Sequence, residues 1–205
     1  MASLPDLVLA SASPRRRELL GMLGLRFAVR PADVDESVRP GEAPDAYVLR
    51  LALEKARALA RPGELALGAD TVVVIDGDIL GKPQDFEDAC RMLARIAGRE
   101  HTVYTGVGLH EAAAGDVGGG ERQASAVATS RVRMAAMDEA EIRWYAATGE
   151  PMDKAGSYAV QGVGAVFVEE VQGNYTNVVG LPLPLTRRLF AELGYDLRDW
   201  IIPRT

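Results

Sequence analysis

Short apolar, β-branched runs alternate along this chain with longer stretches of helix-forming residues. The first kind is typical of strands and the second of helices, so their order favours an α/β fold with a sheet flanked by helices. The predicted strands cover residues 7–10, 26–30, 65–75, 101–109, 127–134 and 163–171. The predicted helices cover residues 14–23, 45–60, 84–96, 138–148 and 185–193.

Turn and cap residues mark where these segments end. Asp76 and Gly77 form a hairpin turn signal, and Asp138 is a helix N-cap. The glycine-rich stretch 112–120 is predicted to be a flexible hairpin tip without a catalytic role. The sequence contains no internal repeat and no clean linker, so we predict one domain over residues 1–205.

Composition excludes several classes of protein. A net charge of −6 argues against a general nucleic-acid or membrane-surface binder. Cys90 is the only cysteine, which excludes an intrachain disulfide and a cysteine-based zinc site. His101 and His110 are the only histidines, which disfavours a zinc enzyme or a Ser-His-Asp hydrolase. No apolar run approaches the ~20 residues of a membrane span, and the start lacks a basic signal-peptide region, so we expect a cytoplasmic protein.

A local positive cluster stands out in this acidic chain. Ser13 and Pro14 form a helix-start signal, and three consecutive arginines, residues 15–17, follow at once. The N-terminus of a helix presents free N–H groups and the positive end of its dipole, so it favours anions. The sequence therefore predicts a phosphate ligand at this helix start.

Four further charged residues could take part in the same chemistry. Asp70 interrupts an apolar run, so it either lies buried beside a partner, ends a strand or occupies a turn after Gly68. Lys82 precedes a proline, Lys55 lies within a helix, and Glu36 follows two aspartates; such residues are most often solvated. Together they suit a polyanion, with lysines for phosphates and carboxylates for a divalent cation. The glycine-rich nucleotide motifs are absent, so any nucleotide site is built another way.

Five stretches, in chain order, resemble the Maf family of nucleoside triphosphate pyrophosphatases. They are residues 11–20, 68–71, 81–83, 153–162 and 173–183. The resemblance implies an elongated, mixed, twisted sheet flanked by helices, with two lobes around a central cleft as in inosine triphosphatases. It implies hydrolysis between the α- and β-phosphates, giving a monophosphate and pyrophosphate. It also implies a divalent cation, Mg²⁺ or alternatively Mn²⁺, and a homodimer.

The resemblance assigns roles to individual residues. Asp70 matches the proton acceptor, and the other implied catalytic residues are Glu36, Lys55 and Lys82. The residues implied to bind the substrate phosphates are Ser11, Ser13, Arg15 and Arg16. We expect Asp70 and Glu36 to be the metal ligands.

Three positions point to the base. Arg15, Thr71 and Gln161 match the branch that acts on dTTP and UTP, with modified pyrimidine triphosphates as further candidates. A sibling branch that acts on 7-methylguanosine triphosphate carries other residues there. A glutamine amide has a donor and an acceptor, so Gln161 could pair with the edge of uracil or thymine.

Two alternatives remain open at this stage. One is a nucleotide-binding regulator of cell division with little catalysis. The other is a pyrophosphatase for another non-standard nucleoside triphosphate, such as inosine triphosphate. In each case the expected ligand is a nucleoside triphosphate, and neither nucleic acid nor a membrane is an expected partner.

Overall fold

The computed structural model describes residues 4–113 and 120–201. The strands are β1 (Asp6–Leu9), β2 (Ala28–Val29), β3 (Glu64–Ile75), β4 (Asp78–Leu80), β5 (Glu100–Glu111), β6 (Arg122–Met134) and β7 (Val168–Gln172). The helices are α1 (Pro14–Met22), α2 (Pro44–Leu59), α3 (Phe86–Ile96), α4 (Glu139–Ala147), α5 (Tyr175–Val179) and α6 (Leu183–Glu192). Short 3₁₀ helices cover Glu150–Asp153, Ala155–Ser157, Gly162–Phe167 and Leu197–Trp200.

The strands form a mixed sheet in the order β2-β1-β3-β5-β6-β7, with β4 paired to β3. Strand β1 runs parallel to both β2 and β3, and Leu7 lies opposite Leu65. The pairs β3–β4 and β6–β7 are antiparallel. The predicted mixed α/β sheet with flanking helices is therefore confirmed.

The chain divides into two compact units, to each of which β3, β5 and β6 contribute residues. The first unit comprises Met1–Asp70, Thr105–Ala128 and Gly180–Thr205. Its β1 is buried on both faces, because Leu7, Val8 and Leu9 are all at most 2% exposed. Such a continuous apolar run is typical of a central parallel strand that is covered on both sides. Near the end of the chain, Phe190 and Trp200 pack edge to face with ring centroids 5.2 Å apart.

The second unit comprises Thr71–Tyr104 and Thr129–Val179. Its core joins strand residues such as Val73, Val103 and Val132 to the apolar face of α3, including Leu93 and Ile96. Helix α4 adds Tyr145, which is fully buried and packs against the ring of Phe167. This core holds the segments that follow α4 in place.

Local sequence signals fix several boundaries as predicted. Asp76 and Gly77 both have positive φ angles, of 55° and 85°, as expected for the predicted hairpin turn between β3 and β4. Asp138 caps α4 in a capping box, since its side chain accepts from the Glu141 N–H and the Glu141 carboxylate accepts from the Asp138 N–H.

One predicted strand is wrong over most of its length. Residues 163–171 were expected to be extended, but Gly162–Phe167 is a 3₁₀ helix and only Val168–Gln172 is a strand. The β-branched valines of this segment give a strand-like pattern. However, Gly162 has a φ of 67°, and the carboxylate of Glu150 accepts hydrogen bonds from two successive N–H groups beyond it, which turns the backbone.

Smaller differences concern segment lengths. The strand predicted at residues 26–30 is reduced to the two residues of β2, and β6 begins five residues before the predicted start at residue 127. Within the predicted tip at 112–120, residues 114–119 lie outside the described part of the chain. Among the described residues, no helix is long and apolar enough to cross a membrane.

Candidate active site

Helix α2 lies unusually close to the strands of the first unit because glycines face it. A Cβ atom on Gly68 of β3 would lie 2.1 Å from the carbonyl oxygen of Ala52, and one on Gly106 of β5 would lie 2.2 Å from that of Val48. No side chain fits at such distances. The two glycines therefore let the helix backbone rest directly on the strands. Gly68 lies two residues before Asp70, so this close contact is next to the carboxylate.

Lys55 lies on the buried face of α2. Val48, Leu51 and Ala52 are fully buried, and a helical repeat of three or four residues places Lys55 on the same face. Lys55 is accordingly only 7% exposed. The usual expectation of a solvated lysine on a helix is wrong here, because the apolar stripe of the helix continues through this position.

The Lys55 ammonium joins two carboxylates. Its Nζ lies 2.7 Å from Oδ1 of Asp70 and 2.6 Å from Oε1 of Glu36. Asp70 is only 9% exposed and lies within β3, so the buried alternative holds for it and the turn alternative is wrong. The side chain of Glu36 is 53% exposed. The cluster thus runs from a buried ion pair to a carboxylate at the surface.

Arg16 lies buried beside this cluster and links three parts of the first unit. Its Nη1 donates to Oγ of Ser11 at 3.0 Å and to the carbonyl of Ala69 at 2.8 Å. Its Nε donates to the carbonyl of Gly180, also at 2.8 Å. Burial lowers the pKa of the Arg16 guanidinium, while the nearby Asp70 carboxylate opposes that shift. Arginine has such a high ordinary pKa that the group stays charged, so Arg16 puts a fixed positive charge next to Asp70.

Tyr47 holds the main chain of the residue that carries the outer carboxylate. Its hydroxyl donates to the main-chain carbonyl of Glu36 at 2.7 Å. Burial raises the pKa of Tyr47 to about 12, and the negative charges of Asp70 and Glu36 contribute in the same direction. The phenol is therefore a neutral donor that fixes the loop carrying Glu36.

Comparison with known proteins supplies the family. The model of the family described as Maf-like protein matches residues 6–193. The chain belongs to the Maf family. It is 56% identical over 194 residues to a protein of Anaeromyxobacter dehalogenans named dTTP/UTP pyrophosphatase, covering 94% of this chain and 96% of that protein. Relatives with the same name from Myxococcus xanthus (93% and 94% covered) and Symbiobacterium thermophilum (95% and 97% covered) are 50% and 45% identical.

Other site residues predicted in this Maf-family chain lie at the helix start. Ser13 is the N-cap residue of α1, with Pro14 in its first turn, as predicted. The side chain of Ser13 makes no capping hydrogen bond. The main-chain N–H of Ser13 donates to Oγ of Ser11 at 3.2 Å. Arg15 is half-buried in the first turn of the helix. The first unit thus brings Ser11, Arg16 and the Lys55 cluster together, and phosphate binding there stays a prediction.

The remaining predicted residues belong to the second unit. Thr71 follows Asp70 in β3 and is half-buried. Lys82 is exposed in the loop after β4. Gln161 is half-buried, with extended backbone angles, immediately before the 3₁₀ helix Gly162–Phe167. Their catalytic and specificity roles stay predictions.

The cluster in the first unit fits the predicted divalent cation in its donor chemistry. Among residues 4–113 and 120–201, no group of three or more His, Cys, Asp or Glu residues could hold a metal ion by itself. However, Mg²⁺ in nucleotide enzymes is typically held by one or two carboxylates together with substrate phosphates. Asp70 and Glu36 meet this requirement, because both reach the same ammonium nitrogen.

Sequence reasoning missed Tyr47 and the carbonyl of Gly180 as parts of the site. Tyr47 lies four residues, about one turn, before Leu51 on the buried face of α2, which is a usable signal for burial but not for its contact with Glu36. Gly180 comes from a distant stretch of chain, and only folding shows that it accepts from Arg16.

Proposed function

We propose that this chain hydrolyses pyrimidine nucleoside triphosphates, dTTP and UTP above all, to the monophosphate and pyrophosphate. The observation that carries the proposal is the buried Lys55–Asp70 ion pair, which extends to Glu36 beside the fixed charge of Arg16. The names of the relatives, which align over nearly the whole chain, support the choice of substrate.

Asp70 is the residue we propose to accept the proton of the attacking water. Hydrolysis requires a water molecule to attack phosphorus while pyrophosphate leaves, so one proton must pass from the water to a base. Asp70 is held in one position by Lys55, and a base that is already oriented loses little freedom in the reaction. The ammonium also compensates the buried negative charge, which would otherwise be strongly unfavourable.

Positively charged side chains are proposed to stabilise the charge on the phosphates. A triphosphate is strongly anionic, and stabilisation of the charge that develops on its oxygens is a major part of catalysis. We propose that Arg15, Arg16, Lys55 and Lys82 offset this charge, with Ser11 and Ser13 as hydrogen-bond donors. Because Nε and Nη1 of Arg16 donate to Ser11 and two carbonyls, its contribution is mainly that of a fixed charge.

Asp70 and Glu36 would hold the divalent cation, Mg²⁺ or Mn²⁺. Such an ion, when bound together with the nucleotide, neutralises phosphate charge and lowers the pKa of a coordinated water. The exposed Glu36 carboxylate can turn toward an ion without unpacking the core, whereas Asp70 is fixed.

Base selection is assigned to Gln161 together with Arg15 and Thr71. A glutamine amide offers both a donor group and an acceptor, which complements the alternating edge of uracil and thymine. An ionised glutamate can only accept, so it would not satisfy both kinds of group on that edge.

A nucleotide panel tests the proposal. Purified protein is incubated with Mg²⁺ and each of dTTP, UTP, dCTP, dGTP and inosine triphosphate, and the products are separated by ion-exchange chromatography. We expect monophosphate and pyrophosphate in equal amounts from dTTP and UTP. Preferred turnover of inosine triphosphate would favour the purine alternative, and binding of dTTP without pyrophosphate release would favour a regulator.

A further inference from the structure

Hydrogen bonds from the backbone on both sides of Gln161 end on one pair of side chains, the carboxylate of Glu150 and the phenol of Tyr145. The proposed chemistry does not use this pair. Oε2 of Glu150 accepts from the N–H of Val163 at 2.9 Å, and its Oε1 accepts from the N–H of Gly164 at 2.8 Å. These N–H groups lie at the start of the 3₁₀ helix that follows Gln161, where the backbone of the helix offers them no acceptor. The carboxylate therefore fixes the backbone on the C-terminal side of Gln161.

Tyr145 fixes the other side. Its hydroxyl donates to Oε1 of Glu150 at 2.8 Å and accepts from the N–H of Ala159 at 3.0 Å, two residues before Gln161. Tyr145 is fully buried and packs against the ring of Phe167, so the hydroxyl is held firmly in place. One connected set of hydrogen bonds thus anchors the backbone before and after Gln161.

Two glycines make this close approach feasible. A Cβ atom on Gly162 would lie 2.3 Å from Oε2 of Glu150, and one on Gly164 would lie 2.3 Å from the hydroxyl of Tyr145. Gly162 also has a φ of 67°, which L side chains rarely adopt. Glycine at these two positions therefore leaves the space that the Glu150 carboxylate and the Tyr145 phenol occupy.

The charge state of the carboxylate agrees with this role. Burial raises the pKa of the Glu150 carboxyl, but the hydrogen bonds from Gly164, Tyr145 and Val163 together bring it below its ordinary value. Glu150 is thus ionised at neutral pH and acts only as an acceptor, which suits the donors that face it.

We infer that Glu150, oriented by Tyr145, is a positioning residue that fixes the backbone around Gln161 and thereby sets the preference for a pyrimidine base. The inference rests on the proposed function, in which Gln161 reads the base. A side chain pairs with both a donor and an acceptor only if its backbone is held at one angle and distance. Glu150 itself need not touch the substrate.

The test compares Glu150→Gln with the parent enzyme on dTTP and dGTP. Glutamine keeps the shape but places an amide donor against one of the backbone donors. We expect the ratio of kcat/KM for dTTP to that for dGTP to fall about tenfold, through a higher KM for dTTP and a kcat changed less than about twofold. Tyr145→Phe keeps the packed ring, removes the hydroxyl and should lower the same ratio, so it also tests the inference if Glu150→Gln does not fold.

A matched control and a double variant separate positioning from general loss of structure. Glu87→Gln removes an exposed carboxylate of the same unit, which pairs with Arg143 at 2.9 Å, and should leave the ratio unchanged. In a Gln161→Ala background, adding Glu150→Gln should change the ratio no further. Equal loss of activity on both nucleotides, or additive effects of the two substitutions, would overturn the inference. An inactive parent enzyme would instead overturn the proposed function.

Discussion

The ammonium nitrogen of Lys55 lies 2.7 Å from Oδ1 of Asp70, and both side chains are buried. The two charges compensate each other, with Glu36 also 2.6 Å from the ammonium nitrogen and the guanidinium of Arg16 near Asp70. Removing either partner therefore affects the stability of the first unit as well as any chemistry at Asp70. Stability and activity must be measured together at this site.

Asp70→Asn should abolish most turnover while leaving the fold intact. Asparagine is nearly the same shape and its oxygen can still accept from Lys55, but it cannot take a proton from water. Loss of such a group typically lowers the rate about 10²–10⁴-fold. Initial rates of pyrophosphate release from dTTP measure the effect, with the free energy of unfolding in urea as the control for the fold. Turnover near the parental rate would remove Asp70 from its assigned role.

Lys55→Met should destabilise the protein by about 3–5 kcal/mol, because it leaves the Asp70 carboxylate buried without its partner. The double variant Lys55→Met, Asp70→Asn removes both charges and should be more stable than Lys55→Met alone. Urea unfolding at pH 7 gives the free energies of unfolding for all four proteins. If the double variant lost as much free energy of unfolding as the two single variants together, the two residues would not be energetically coupled.

The sequence indicates that Asp70 needs a partner but does not identify it. A carboxylate within an apolar strand requires compensation, and the position of Lys55 on the apolar stripe of α2 is readable from its spacing. The contact itself depends on how closely the helix docks on the strand, which Gly68 decides. That distance is a property of tertiary packing, so sequence patterns do not reveal it.

Gly68→Ala tests this docking. The added methyl would lie 2.1 Å from the carbonyl oxygen of Ala52, so helix and strand must move apart, at a loss of about 3 kcal/mol. Gly21→Ala is the matched control, since nothing lies within 4 Å of its Cβ and it lies within α1, where alanine is favoured by about 0.5–1 kcal/mol. Urea midpoints that shift equally for both variants would contradict the tight contact.

The mistaken strand at residues 163–171 has a similar cause. Valines predict extended structure locally, but Glu150, a residue 13 positions before Val163, accepts its N–H and helps to turn the backbone. A hydrogen-bond acceptor that lies this far away in the sequence cannot be predicted from the local pattern of hydrophobic residues. Metal binding and a homodimer stay predictions that rest on the resemblance, and a cytoplasmic location stays a prediction that rests on the sequence.

Acid should destabilise the protein through His101. Burial lowers the pKa of His101 to about 4 from an ordinary 6.5, and its ring pairs with the hydroxyl of Tyr158 at 2.8 Å. Below pH 6.5 this histidine binds a proton in the unfolded chain, whereas in the folded state it stays neutral down to about pH 4. The free energy of unfolding therefore falls as the pH is lowered across this window, by up to about 1.4 kcal/mol per pH unit.

The variant His101→Gln tests this contribution. It removes the titration of His101 but leaves that of His110, whose pKa burial also lowers. The stability difference between parent and variant in urea should therefore shrink by about 2 kcal/mol from pH 7 to pH 5. A constant difference over that range would show that His101 is not held neutral by burial.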